Sequence, residues 1–140
     1  MAFLKQPYLF RLVLQMFDVL IADDEQLARE TVKFLLAQCD GIGTVHETNN
    51  GKSTLQLVQQ YHPKIVMLDI EMPNINGIEV AKQLPDDISV IFITAFSHFE
   101  EHMSAVKCAG YLLKPFKDDE FYECFEKARA IQLELHGQAI

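Results

Sequence analysis

Five polar residues in this 140-residue chain stand at the ends of apolar runs. Asp23 and Asp24 follow the run 17–22, Asp69 follows Ile65-Val66-Met67-Leu68, Thr94 ends the run that starts at Ser89, and Lys114 follows Tyr111-Leu112-Leu113. If those runs are parallel strands of one sheet, all five residues meet at its carboxyl edge, where such sheets bind ligands. Three carboxylates held there repel one another by about 4 kcal/mol per pair at ~4 Å and an effective dielectric of ~20. A cation has to offset that. Hard oxygen ligands in a partly open site with room for waters favour Mg²⁺ over a transition metal. A lysine and a hydroxyl at the same rim add donors for an oxyanion, which suits a phosphoryl group. An Asp-Asp pair alone is an ordinary helix start, because acids cap and complement the helix dipole. The groups at the other strand ends are what give it chemistry.

The elements that would position these residues are visible in the periodicity. From Phe17 onward, short apolar runs alternate with helical patterns, the signature of β-α units on a parallel sheet. Strands are predicted at 17–22, 43–47, 65–68, 89–94 and 111–113. The run 65–68 has the unbroken apolar character of a central strand buried on both faces. The first helix carries Leu27, Thr31, Phe34 and Leu35 at helical spacing and ends near Asp40-Gly41. Asn49-Asn50-Gly51 makes a turn before a second helix with the stripe Leu55, Val58 and Tyr61, which stops at Pro63. A loop at 73–77 precedes a third helix through Val80, Ala81 and Leu84 that Pro85 ends. A fourth helix is predicted over 99–109, and a last one from Asp118 to about Leu135 on the stripe Phe121, Phe125, Ala128 and Leu135. The fold class is therefore α/β, a doubly wound five-stranded parallel sheet in one domain spanning 17–137.

Composition agrees with a single core, at 49% hydrophobic and 23% charged residues, and lacks the bias of repeats or disordered chains. Twenty acidic against 12 basic side chains give a formal charge of -8, the wrong sign for direct binding of a nucleic-acid backbone. Cys39, Cys108 and Cys124 are widely spaced, without a CxxC pair, and read as reduced thiols of a cytoplasmic protein. Residues 1–16 read as an N-terminal extension: an appended leader or a short helix packed on the domain. Lys5, Pro7 and Arg11 break its apolar run well short of the ~18 residues a membrane span needs, so no membrane anchor is expected. Met16 could itself be a translation start.

At these residues the sequence resembles the receiver domains of two-component response regulators, over Phe17 to about Leu135. The family pattern is an acidic pair after the first strand, an aspartate in D-x-x-M-P-x-x-x-G, a Ser/Thr after the fourth strand and Lys-Pro after the fifth. The chain supplies Asp23-Asp24, then Asp69-Ile70-Glu71-Met72-Pro73-Asn74-Ile75-Asn76-Gly77, then Thr94-Ala95, then Lys114-Pro115-Phe116. The stretches 24–30, 93–96 and 111–116 look most like receivers that precede LytTR-type DNA-binding domains.

The resemblance implies a flavodoxin-like fold with strand order 2-1-3-4-5, and a phosphorylation-activated signalling switch. It implies that Asp69 is the phosphoacceptor for a sensor histidine kinase or phosphotransfer protein. Asp24, Asp69 and the backbone carbonyl of Glu71 would bind Mg²⁺ directly, with Asp23 acting through water. Lys114 would pair with Asp69 and then with a phosphoryl oxygen, and Pro115 would follow a cis peptide bond. Thr94 would bond another phosphoryl oxygen, and Tyr111 would rotate inward behind it. Such a domain catalyses only its own phosphoryl transfer and loss. Its expected homodimer surface is the fourth helix, fifth strand and last helix.

A Mg²⁺-dependent phosphatase or hydrolase with Asp69 as nucleophile would want Glu71 as general acid, and also a substrate-covering cap for which the sequence has no insertion. A receiver used only as a docking platform is disfavoured by the intact residue set. His98 and His102 lie one helical turn apart without a third ligand and read as solvated helix residues. Gly51-Lys52-Ser53 matches the end of a P-loop, but the first glycine of that motif falls on His46.

Overall fold

The computed structural model describes residues 16–95 and 106–137. Strands β1 (Phe17–Ala22), β2 (Ile42–Thr48), β3 (Ile65–Leu68), β4 (Ser89–Thr94) and β5 (Gly110–Leu113) pair in parallel in the order β2-β1-β3-β4-β5. The described helices are α1 (Gln26–Leu36), α2 (Gly51–Tyr61), α3 (Gly77–Lys82) and α4 (Asp118–Gly137). The sheet is the one expected, in class and in order.

Because successive strand side chains point to opposite faces, each central strand feeds two cores. Val19, Ile21, Ile65, Met67, Ile91 and Ile93 pack with α1 and α4 residues such as Leu35, Phe121 and Phe125. Leu20, Val66, Leu68, Val90 and Phe92 pack on the other side with Val58, Ile78 and Val80. Every residue of β3 and β4 is buried, which is why both read as unbroken apolar runs. Phe92, Phe121 and Phe125 are each buried almost completely, worth roughly 1.5–3 kcal/mol apiece.

Several details depart from the sequence reading. Of the expected α1 stripe only Leu35 is buried, together with Val32 and Leu36, whereas Thr31 is exposed and Leu27 and Phe34 are 78% and 67% exposed. On α4, Leu135 is exposed and the buried position one turn earlier is Gln132, which is satisfied by polar partners. Its Nε2 donates to the Asp87 carbonyl at 2.8 Å and to Ser89 Oγ at 2.9 Å. Helix α3 stops at Lys82, before the expected Leu84, because the amides of Gln83 and Leu84 turn back to the carbonyls of Val80 and Ala81. The helix expected over 99–109 lies outside the described residues up to 105, and 106–109 are not helical.

Two asparagines start helices. Asn50 Oδ1 accepts the Ser53 amide at 2.8 Å and Asn76 Oδ1 accepts the Glu79 amide at 2.9 Å. Gly51 was read as turn chemistry, but the structure gives it a different reason: a Cβ there would collide with the Ile75 carbonyl oxygen. The close approach brings the loop after β3 against the start of α2. Cys39, Cys108 and Cys124 are free thiols. Among the described residues, no helix is long and apolar enough to cross a membrane.

Candidate functional site

The parallel register brings the carboxyl ends of β1, β3, β4 and β5 to one edge, with Ala22 beside Leu68 and Thr94 beside Leu113. Asp23 and Asp69 each follow a buried strand and are themselves 4% and 5% exposed. Asp24 and Glu25 follow Asp23 onto the exposed rim. Asp23, Asp24, Glu25 and Asp69 each place a carboxylate oxygen within 4.8 Å of the others.

Among the described residues, one side-chain cation reaches into this cluster. Lys114 Nζ lies 2.7 Å from Asp23 Oδ2, 3.5 Å from Asp69 Oδ2 and 3.7 Å from Glu25 Oε1. The sequence reading paired Lys114 with Asp69, and in the structure its shortest contact is to Asp23. The peptide bond between Lys114 and Pro115 is cis. Asp69 also receives the Thr94 hydroxyl, and its Oδ1 accepts the Glu71 amide at 3.2 Å. Asp23 Oδ1 accepts the Glu25 amide at 2.9 Å.

The electrostatics follow from these contacts. Burial, then the charge of Asp23, pushes the Asp69 carboxyl up to about 6, against the opposing pull of Lys114, the Thr94 hydroxyl and the Glu71 amide. Burial alone would lower the Lys114 ammonium, but its hydrogen bond to Asp23 and the charges of Asp69, Asp23 and Glu25 hold it above its ordinary value. Four carboxylates against one ammonium leave an excess of negative charge on hard oxygen donors. That donor set fits Mg²⁺, which takes oxygen ligands and keeps several waters.

The loop that follows Asp69 is fixed by backbone. The Gly77 amide donates to the Ile70 carbonyl at 2.8 Å, and a Cβ on Gly77 would run into the Asp69 carbonyl oxygen. Only glycine lets α3 begin this close to β3. Asn74 adopts a left-handed φ of 72° in the same loop. The Glu71 side chain is exposed, outside the hydrogen bonds around Asp69. Tyr111 on β5 sits beside Phe92 in register and is 36% exposed. His98 and His102 lie outside the described residues.

Two residues near the site enter the sequence reading only within the stretch 24–30, without a role of their own. Glu25 joins the acid cluster, and its signal was the third acid in Asp23-Asp24-Glu25. Arg29 donates through Nη1 to the Asp23 backbone carbonyl at 2.8 Å. Nothing in the apolar periodicity marks it.

Comparison with known proteins is consistent with this geometry. Residues 19–126 match the family described as response regulator receiver domain. The chain is 40% identical over 116 residues to a sensory transduction protein LytT of Oceanobacillus iheyensis, covering 79% of this chain and 47% of that protein. It is 39% identical over 115 residues to the positive alginate biosynthesis regulatory protein of Pseudomonas aeruginosa, covering 79% and 46%. Among solved structures, a DNA-binding response regulator of the LuxR family from Staphylococcus aureus superposes with a TM-score of 0.71 at 30% identity. That match covers 81% of this chain and 99% of that one. The chain thus spans about half the length of the curated relatives it matches.

Proposed function

This chain belongs to the response regulator receiver family of two-component signalling, and we propose that it is a phosphorylation switch with Asp69 as its phosphoacceptor. The observation that carries the reading is the Asp69 carboxylate itself. It is buried at a strand end, yet held by a lysine, a hydroxyl and an amide, and surrounded by three further acids.

In this mechanism an Asp69 oxygen attacks the phosphorus of a phosphohistidine on a sensor kinase or a phosphotransfer protein. A P–O bond forms, the P–N bond breaks, and the imidazole leaves with the bonding pair. Lys114 and the Thr94 hydroxyl stand where each can donate to an oxygen of the transferred group. Asp23, Asp24, Asp69 and the backbone carbonyl of Glu71 are assigned to hold Mg²⁺. When bound, that ion neutralises charge on the phosphoryl oxygens. Gly77 and the Glu71 amide keep the Asp69 loop in place.

The domain catalyses only its own phosphorylation and dephosphorylation. The acyl phosphate adds about two negative charges beside Thr94. Thr94 then bonds the new oxygens, and Tyr111 moves into the space behind it. The output face comprises β5, α4 and the segment expected to be helical over 99–109, and it serves a homodimer or a downstream partner. Residues 17–137 form this cytoplasmic unit, and 1–16 extend it, without direct contact to nucleic acid or membrane. The receiver-like stretches 24–30, 93–96 and 111–116 accord with the match to a protein named LytT.

Intact-mass spectrometry after incubation with a small phosphodonor and Mg²⁺ tests the reading. One added phosphoryl group is expected on the parent and none on Asp69→Asn. Labelling of the Asn variant at the parent level would move the acceptor elsewhere.

A further inference from the structure

The loop that carries the rim acids is held from behind by a guanidinium. Arg29 stands one turn into α1 with its side chain 15% exposed. Its Nη1 donates to the Asp23 carbonyl oxygen at 2.8 Å, and its Nε donates to Glu47 Oε1 at 2.9 Å. Glu47 lies on β2 beside Ile21, and its other oxygen accepts Lys33 Nζ at 2.7 Å. Hydrogen bonds from Lys33 and then Arg29 hold the Glu47 carboxyl below its ordinary range.

The Asp23 amide donates to the Thr48 carbonyl at 3.1 Å. Arg29 therefore fixes the carbonyl of the same residue whose amide is pinned by β2, and the peptide plane between Asp23 and Asp24 has one orientation. The Glu25 side chain, at the N-cap position of α1, makes no capping hydrogen bond. The arginine joins the Asp23 carboxylate, which accepts the Glu25 amide at 2.9 Å, in anchoring this end of the loop to the helix.

We propose that Arg29 is a positioning residue for the metal-holding acids. By fixing the 23–24 peptide it aims the Asp24 carboxylate toward Asp23 and Asp69, and so sets the Mg²⁺ affinity of the site. The proposal rests on the assignment of those acids to Mg²⁺ made above. Partners that orient metal ligands from outside the ligand set typically account for 10–100-fold in affinity. A planar guanidinium can bridge a carbonyl and a carboxylate at once, a geometry an ammonium does not reproduce.

A purely electrostatic role has the opposite sign. Arg29 is a cation next to a cation site, so removing its charge alone would tighten Mg²⁺ binding, whereas losing its grip on the loop weakens it. Calorimetric titration of the full chain with MgCl₂ distinguishes the two. Arg29→Met, which keeps most of the stem, is expected to weaken Mg²⁺ binding about tenfold. Arg29→Lys should fall between it and the parent. Glu47→Gln, which leaves the Asp23 contact but loosens its support, should weaken binding about threefold, and it carries the test with Arg29→Lys if Arg29→Met does not fold. Thermal unfolding without Mg²⁺ reports any general loss of stability separately. Folded variants that bind Mg²⁺ within twofold of the parent, or more tightly, would overturn the positioning role alone. A parent that does not bind Mg²⁺ would overturn the metal assignment as well.

Discussion

Replacing Asp69 with asparagine is expected to stabilise the metal-free fold at neutral pH while removing its chemistry. The Asp69 carboxyl titrates near 6 in the folded chain, against an ordinary value of 3.8, because burial and Asp23 disfavour its charge. An acid with a raised folded value binds protons more tightly when folded. Its stabilising contribution is complete below about 3.8 and is lost as pH rises through about 6. At pH 7.5 the ionised carboxylate therefore works against the fold. Two pKa units correspond to about 3 kcal/mol. Asparagine retains an acceptor for the Thr94 hydroxyl and the Glu71 amide but gives up the attraction to Lys114, so the expected gain is about 1–3 kcal/mol. For a domain of this size that raises Tm by roughly 3–9 °C.

The assay is urea or thermal unfolding of parent and Asp69→Asn at pH 7.5, 6 and 4 in a chelator. The advantage of the variant should be largest at pH 7.5 and small by pH 4, where the carboxyl is protonated in the folded chain and about half ionised in the unfolded one. Saturating Mg²⁺ should shrink it at pH 7.5, since ligands that bind only the folded state stabilise it, and the parent has the fuller donor set. A variant less stable than the parent at pH 7.5 in chelator, or an advantage independent of pH, would refute the reasoning that Asp69 is held under electrostatic strain.

Asp24→Ala should leave the phosphoacceptor intact but shift the Mg²⁺ dependence of labelling to higher concentration, read as phosphorylated fraction against MgCl₂. Gly77→Ala should cost about 1–3 kcal/mol in urea unfolding, because its methyl meets the Asp69 carbonyl oxygen and α3 must retreat from β3. Gln132→Ala should cost a similar amount by leaving the buried Ser89 hydroxyl and the partly buried Asp87 carbonyl without their shared donor. Beryllofluoride with Mg²⁺ should change hydrogen exchange at Thr94 and along β5 as well as in the Asp69 loop, and changes confined to that loop would remove the proposed coupling to Tyr111.

The sheet was legible because its central strands are largely buried on both faces and their middles are apolar, with polar residues only near the ends. The acids and the lysine were legible for a related reason: each breaks an apolar run at the strand end where the fold opens. Contacts that cross between elements left weaker traces. Gly51 and Gly77 look alike as turn glycines, but both are there because another backbone passes too close for a Cβ. Gln132 interrupts an apolar stripe, and only its distance to Asp87 and Ser89, more than forty residues away in sequence, explains why a buried position is polar.

The rotation of α1 shows why helical periodicity alone fell short. Leu27, Thr31 and Phe34 make one apolar line at helical spacing, and Ala28, Val32, Leu35 and Leu36 make another beside it. Spacing cannot rank the two, and residue size favours the wrong one, since Phe34 is the largest side chain in the helix. The structure selects the second line, and polar contacts accompany it. Arg29 and Lys33, one turn apart, both reach Glu47 on β2, so the polar contacts agree with the rotation that the burial of Val32, Leu35 and Leu36 favours. Val32, Leu35 and Leu36 then fall into the core beside Val19 and Ile21, and Leu27 and Phe34 are left on the outside. The same guanidinium that holds the Asp23 carbonyl also contacts β2 in that rotation, so the acid cluster and the packing of α1 on β1 share one residue.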